Sequence, residues 1–350
     1  MSSSVELVHD DAVWLSAHIF YNGGSPDDGD AVALGIIGPF VLEYQKRRLL
    51  LGYFFIRYRE LGPHLRLRMR VRPCDELAVV DALTSHIRQV APGCDIQPWP
   101  GQAMCAIDSL QADQGLNSVQ DTATARATGS LMRSVRWIAY EPEVDRYGGP
   151  DAIEIAHEHF EASSDAALAL LSETEQVSPS ARLGRALLLT VAIIHTYFDT
   201  RDASARFAAR YGRQCTEATD SALGSQDAWS RMFKNGFIQQ SAQVQELVEM
   251  IWVGLTNKQE LPIPAGFLSA LRTSRDALHD LVRATANVPQ AVSFDNWERC
   301  RAYILPSYIH MTNNRLGISI PEERYLAHMI DWVLSGQSVI AKSDVDQPIA

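Results

Sequence analysis

A chain of 350 residues, 46% hydrophobic and 21% charged with 21 Gly and 16 Pro, is long enough for a sizeable core and is composed like a globular protein, which excludes disordered, fibrous and collagen-like classes. Its 31 Lys and Arg against 42 Asp and Glu leave a net charge of −11, which excludes general attraction to nucleic acid or anionic membrane and makes any anion site a local feature. Cys74, Cys94, Cys105, Cys215 and Cys300 are odd in number and scattered, with no CxxC pair, so neither a disulfide framework nor a zinc site is expected and a reducing cytoplasm fits. The first residues carry no basic, apolar signal, and no run of about 18 apolar residues occurs, so neither a signal peptide nor a membrane span is expected.

Residues 14–21 are rich in aromatic and branched types and run into Asn22-Gly23-Gly24-Ser25-Pro26, which predicts a strand, a loop and then a helix over about 28–44. Residues 53–58 and 65–71 read as two strands joined through Gly62-Pro63. The second alternates strictly, placing Leu65, Leu67, Met69 and Val71 on one face and Arg66, Arg68, Arg70 and Arg72 on the other. Residues 75–90 have helical spacing with Asp75 as the expected cap. Residues 106–129, polar and aperiodic, read as a mobile insertion, 133–140 as a strand, and Gly148-Gly149-Pro150 as the entry to a helix near 151. Helices are then expected from Ser178-Pro179 through Phe198, near 227–256, 265–286, 296–313 and 321–334, with a frayed tail over 337–350. This order predicts an α+β fold: one domain over 1–350, strand-rich over about 10–150 and helical over about 151–335.

Three groups of residues can carry chemistry. The arginine stripe suits bidentate capture of carboxylate or phosphate, with His64 and Arg57 beside it, although a solvated outer strand face would show the same alternation. The segment 140–150 sets Arg146 and Tyr147 before two glycines at a helix start. Ser307-Tyr308-Ile309-His310-Met311-Thr312-Asn313-Asn314-Arg315 gathers hydroxyl, amide and guanidinium groups around a titratable histidine. No metal site is expected: His157-Glu158-His159 on a helix points its imidazoles apart and lacks HExxH spacing. Trp14, Trp137, Trp252, Trp297 and Trp332 read as core aromatics rather than a stacking platform.

Taken in order, Phe54-Phe55-Ile56-Arg57-Tyr58, His64-Leu65-Arg66-Leu67-Arg68, Tyr140-x-Pro142-Glu143-x-x-Arg146-Tyr147-Gly148-Gly149 and His310-Met311-x-x-Asn314-Arg315-Leu316 resemble the thiopeptide-type bacteriocin biosynthesis domain. That domain is the C-terminal lyase part of class I lantibiotic dehydratases and also occurs alone. The resemblance runs from about Trp14 to Leu334, and the length suits the freestanding form. It implies a lyase without metal or organic cofactor, acting on a ribosomally made precursor peptide held through its leader segment, with a separate glutamylation enzyme as a further partner and no nucleic acid or membrane partner.

The resemblance also implies site residues: Arg66, Arg68, Arg146 and His310 as catalytic, with Arg57, His64, Tyr147, Ser307, Tyr308, Asn314 and Arg315 binding substrate. Two chemistries belong to the family. One is β-elimination of glutamate from glutamylated Ser or Thr, giving dehydroamino acids. The other is pyridine formation, a formal [4+2] cycloaddition of two dehydroalanines with loss of water and leader. The demand for positive groups to hold glutamate favours the first. An inert precursor-binding subunit is the reading from another class.

Overall fold

A computed structural model describes residues 12–100, 128–173, 177–223, 226–285 and 296–336. Most of the expected insertion, 106–127, and the expected tail, 337–350, lie outside them. The chain divides into two compact units, one running to Glu143 and taking in Ala167–Gln176, the other Val144–Ala166 together with the chain from Val177 onward.

The first unit is built on β1 (Val13–Tyr21), β2 (Gly52–Tyr58), β3 (His64–Val71), β4 (Asp95–Ile96) and β5 (Met132–Trp137), ordered β2-β3-β1-β5-β4. All neighbours are antiparallel except the short β4–β5 pair. Register assigns the faces, because residues two apart in a strand share one. Leu15, Ala17 and Ile19 align with Met69, Leu67 and Leu65, and all are buried, as are Tyr53, Phe55, Val135 and Trp137 on the same side.

Helices α1 (Pro26–Val32) and α2 (Gly38–Lys46), joined by a π turn at Ala33–Ile37, and α3 (Glu76–Val90) add Ile36, Ile37, Val79, Val80, Leu83 and Ile87 to this core. Ser25 caps α1 through a reciprocal box with Asp28. Asp75, expected to cap α3, does not: it closes a short 3₁₀ turn, Pro73–Asp75, and its carboxylate accepts from Arg72 Nε at 2.5 Å. A guanidinium three residues away is the stronger competitor for that carboxylate. Thr128 and Gly129, assigned to the mobile insertion, are helical, and Thr128 is buried with its hydroxyl on the Ala31 carbonyl at 3.1 Å.

The second unit is helical: α4 (Pro150–Ser172, its last residues grouping with the first unit), α5 (Pro179–Tyr197), α6 (Arg201–Leu223), α7 (Gln226–Thr256), α8 (Phe267–Thr285), α9 (Trp297–Arg315) and α10 (Ile320–Leu334). The almost wholly apolar run Ala186–Ile194 sinks the middle of α5 into the core, where it packs against α7, α8 and α9, while α6 lies along α10. Of the tryptophans, Trp137 and Trp332 are core residues, whereas Trp14, Trp252 and Trp297 are half-exposed. His157 and His159 are both buried, and among the described residues no group of three or more His, Cys, Asp or Glu is placed to hold a metal ion. No described helix is long and apolar enough to cross a membrane.

Candidate active site

On the sheet face opposite the core, register puts Ser16 across from Arg68, His18 across from Arg66 and Phe20 across from His64. Phe54, Ile56 and Tyr58 of β2 flank this row on one side and Arg136 of β5 on the other. The stripe is mixed: Arg72 at its end is partly exposed and paired with Asp75, whereas Arg68 is only 6% exposed. Its Nη1 donates to Ser16 Oγ at 2.8 Å and its guanidinium lies 5.0 Å from the Tyr140 ring centroid. No carboxylate among the described residues pairs with Arg68 or Arg66. Burial, then the charge of Arg66, pull the Arg68 pKa down to about 10, which still leaves a cation at neutral pH.

Arg66 stacks on Tyr58, 3.3 Å to the centroid, and donates from Nε to His64 Nε2 at 3.2 Å. His64 must then carry its proton on Nδ1, 2.9 Å from the Gly62 carbonyl. Burial lowers its pKa, and burial together with Arg68, Arg66 and His64 brings His18 down to about 3, so both imidazoles are neutral. Arg57 is engaged elsewhere: it pairs with the buried Asp30 and donates to the Pro26 carbonyl at 2.8 Å, tying β2 to α1.

The helical unit holds the second cluster. Between the 3₁₀ turn Asp145–Tyr147 and α4, Gly148 (φ 93°) and Gly149 (φ 121°) take conformations that L side chains rarely adopt. Tyr147 anchors this turn: its buried ring lies 5.2 Å from Phe160 and 6.2 Å from Tyr308. Its neighbour Arg146 reaches α9, donating from Nε to Ser307 Oγ at 3.1 Å. Ser307 and His310 are three apart on α9 and so share a face.

His310, whose side chain is 32% exposed, bonds through Nδ1 to Glu323 of α10 at 3.0 and 3.2 Å, and Glu323 is itself 1% exposed and accepts from the Tyr211 hydroxyl of α6. Burial works against the His310 cation, but the hydrogen bond and charge of Glu323 outweigh it along with the opposing Arg146 and Arg315, so its pKa stands above the ordinary histidine value. Nε2 is left without a protein partner among the described residues. A buried carboxylate that fixes one ring nitrogen and leaves the other for proton transfer is the acid/base arrangement of a catalytic histidine.

Two other expected site residues are interior and a third is half-buried. Tyr308 is buried and stacks on His159 at 4.0 Å, and Arg315 is buried and bonds Ser164 Oγ and the Met311 carbonyl at 2.9 and 2.7 Å. Asn314 is half-buried, its carbonyl accepting from Gly317 N at the end of α9. Glu323, Tyr211, Ser16 and His18 carried no motif; the one signal for Glu323 was a carboxylate on the apolar side of α10.

The sheet thus carries Arg66 and Arg68 with no carboxylate partner among the described residues, and the helical unit carries a histidine oriented by a buried carboxylate, groups suited to holding an anion and to moving a proton. The chain belongs to the lantibiotic biosynthesis dehydratase C-terminal family, whose model matches residues 14–334. Its fold resembles that of "Pyridine synthase, TbtD, from thiomuracin biosynthesis", at TM-score 0.60 and 12% identity, covering 93% of this chain and 98% of that one. It also resembles TsrL at TM-score 0.57 and 14% identity, covering 93% and 95%. A third likeness is to the tRNA-dependent lantibiotic dehydratase MibB from Microbispora sp. 107891, at 0.57 and 17%, covering 96% of this chain and 29% of that one. No curated protein gives a significant match.

Proposed function

We propose that the chain is a cytoplasmic biosynthetic lyase that removes glutamate from glutamylated Ser or Thr of a leader-bearing precursor peptide, a separate enzyme having attached it. One observation carries this: Arg68, a buried guanidinium with no carboxylate among the described residues to balance it. A charge so placed is stabilised when a ligand brings the missing anion. In the reaction a base takes the proton from Cα, the Cα=Cβ double bond forms, the Cβ–O bond breaks, and its electron pair leaves on the glutamate carboxylate.

Arg66 and Arg68 hold glutamate and stabilise the leaving carboxylate. His310, oriented by Glu323, receives the proton, and Arg146 with Ser307 sits beside it. His64 serves through Arg66, whose guanidinium it holds, and Arg57, Tyr147, Tyr308, Asn314 and Arg315 position the elements that carry the working groups.

The second reading, pyridine formation, draws support from the coverage of the pyridine synthase along 98% of its length. Mass spectrometry on two candidate precursors, one glutamylated and one already dehydrated, separates the two. Elimination predicts release of glutamate from the first. Ring formation with release of the leader from the second, and no glutamate from the first, would establish the alternative. Binding of both without turnover would mark a precursor-binding subunit.

A further inference from the structure

Two nitrogens on the arginine face are buried and without a hydrogen-bond partner among the described residues. Arg68 spends Nη1 on Ser16, but its Nε has no partner, and His18 Nε2, on the neighbouring strand and one same-face position along, has none either. His18 is 6% exposed, stands in register between Arg66 and Arg136, and lies 5.2 Å from the His64 ring in a near-parallel stack. A buried polar nitrogen without a partner forgoes much of its solvation, and two on diagonal positions of one face call for a ligand that serves both; with the imidazole proton on Nε2, both are donors and the ligand is an acceptor. One with two oxygens in a plane suits the pair.

We propose that His18 is a ligand-binding residue, its Nε2–H and the Nε–H of Arg68 together gripping one carboxylate of the glutamyl group. This rests on the reading of Arg68 as the carboxylate-holding arginine. The division of labour has a physical reason. A third cation beside Arg66 and Arg68 would add to their mutual repulsion, whereas a neutral imidazole adds a donor without a charge. Burial, and after it the surrounding arginines, keep it neutral across the working range, so the grip does not depend on protonating His18.

The test titrates the full chain with L-glutamate by calorimetry, with thermal unfolding of each variant as the check on folding. His18→Phe keeps the ring stack and loses the donor, and should weaken glutamate about tenfold, the weight of one hydrogen bond to a charged group. His18→Gln, which restores an N–H, should recover most of that. Wild-type affinity should stay level between about pH 5.5 and 8, because neither His18 nor Arg68 changes charge there. In the wild-type chain, ¹⁵N-detected imidazole signals of His18 should show a neutral ring whose Nε2–H shifts on adding glutamate, which keeps the proposal testable if a variant fails to fold.

Unchanged binding by His18→Phe, with binding lost in Arg68→Ala, removes His18 and leaves the arginine reading standing. Unchanged binding by Arg68→Ala removes both. A wild-type chain that binds inorganic phosphate but not glutamate, or binds neither, overturns the carboxylate assignment.

Discussion

At the scale of single residues, the balance between burial and partner charge decides the chemistry. Arg68 has one neutral hydrogen bond to Ser16 and an aromatic neighbour against the cost of its burial, and in the proposed reaction the glutamyl carboxylate supplies the rest. Arg68→Ala should therefore lower kcat/KM for glutamate release by about tenfold to about 150-fold, equivalent to roughly 1.5–3 kcal/mol for one charge-assisted contact, with far-ultraviolet dichroism unchanged. Near-normal turnover would return the stripe to a structural role. His310→Ala should cost about 10²–10⁴ in kcat, the usual contribution of a positioned acid/base. As a base, His310 must be neutral, and its pKa is raised by Glu323. The rate should thus rise with pH through that raised pKa, above the ordinary histidine value, and Glu323→Gln should move the rising limb to lower pH while reducing its plateau. A limb that does not move detaches Glu323 from His310. The arginines and His310 were legible in the sequence because alternation and clustering show in one dimension. Glu323 and His18 were not, since what matters about them is which strand or helix lies opposite.

Among the elements, boundaries followed from local chemistry and arrangement did not. The caps at Ser25 and Ser178, the prolines after them and the alternation in β3 are signals within a few residues. Helix α6 lies outside the expected helices: its buried face recurs at helical spacing through Ala205, Phe207, Ala208, Tyr211 and Cys215, but these mostly small side chains, set among Arg201, Asp202, Arg206, Arg210 and Arg213, leave the segment polar on average although α10 packs along it. Strand order could not be read either, because β5 joins β1 from more than a hundred residues away and pairing at that separation leaves no local trace. The turn before α4 gives the element-scale prediction. Gly149 holds φ 121°, where an L side chain is strained whatever the space, so Gly149→Ala should cost about 1–3 kcal/mol in urea unfolding and, by shifting Arg146, lower kcat further than the stability loss accounts for. Gly148, at φ 93° and ψ 17°, lies close to the left-handed region that Asn tolerates. Gly148→Asn should be the milder change in both measurements, and equal damage from the two would mean that backbone strain is not the cause.

For the molecule as a whole, buried histidines set the response to acid. Burial lowers the pKa of His18 and His159 to about 3, and lowers those of His64, His86 and His195 as well, while that of His310 is raised. Each lowered group is protonated in the unfolded chain once the pH drops below about 6.5, whereas the folded chain takes the proton only at lower pH, near 3 for His18 and His159. Their contribution to stability is therefore complete above about 6.5 and is lost as the pH falls below it, over a window that reaches toward 3 for His18 and His159. His310 has the opposite sign: its contribution is complete below about 6.5 and is lost as the pH rises through its folded pKa. A net charge of −11 pulls against the acid loss, because moving toward neutrality relieves self-repulsion. A single substitution isolates the histidine part. His159 is fully buried and stacked 4.0 Å from the Tyr308 ring, so His159→Phe keeps the stack and removes one proton site. The wild-type urea midpoint should fall between pH 7.5 and pH 5, and His159→Phe should fall less, whatever its stability at pH 7.5. Parallel losses in the two proteins would show that the acid sensitivity comes from carboxylates rather than from this histidine.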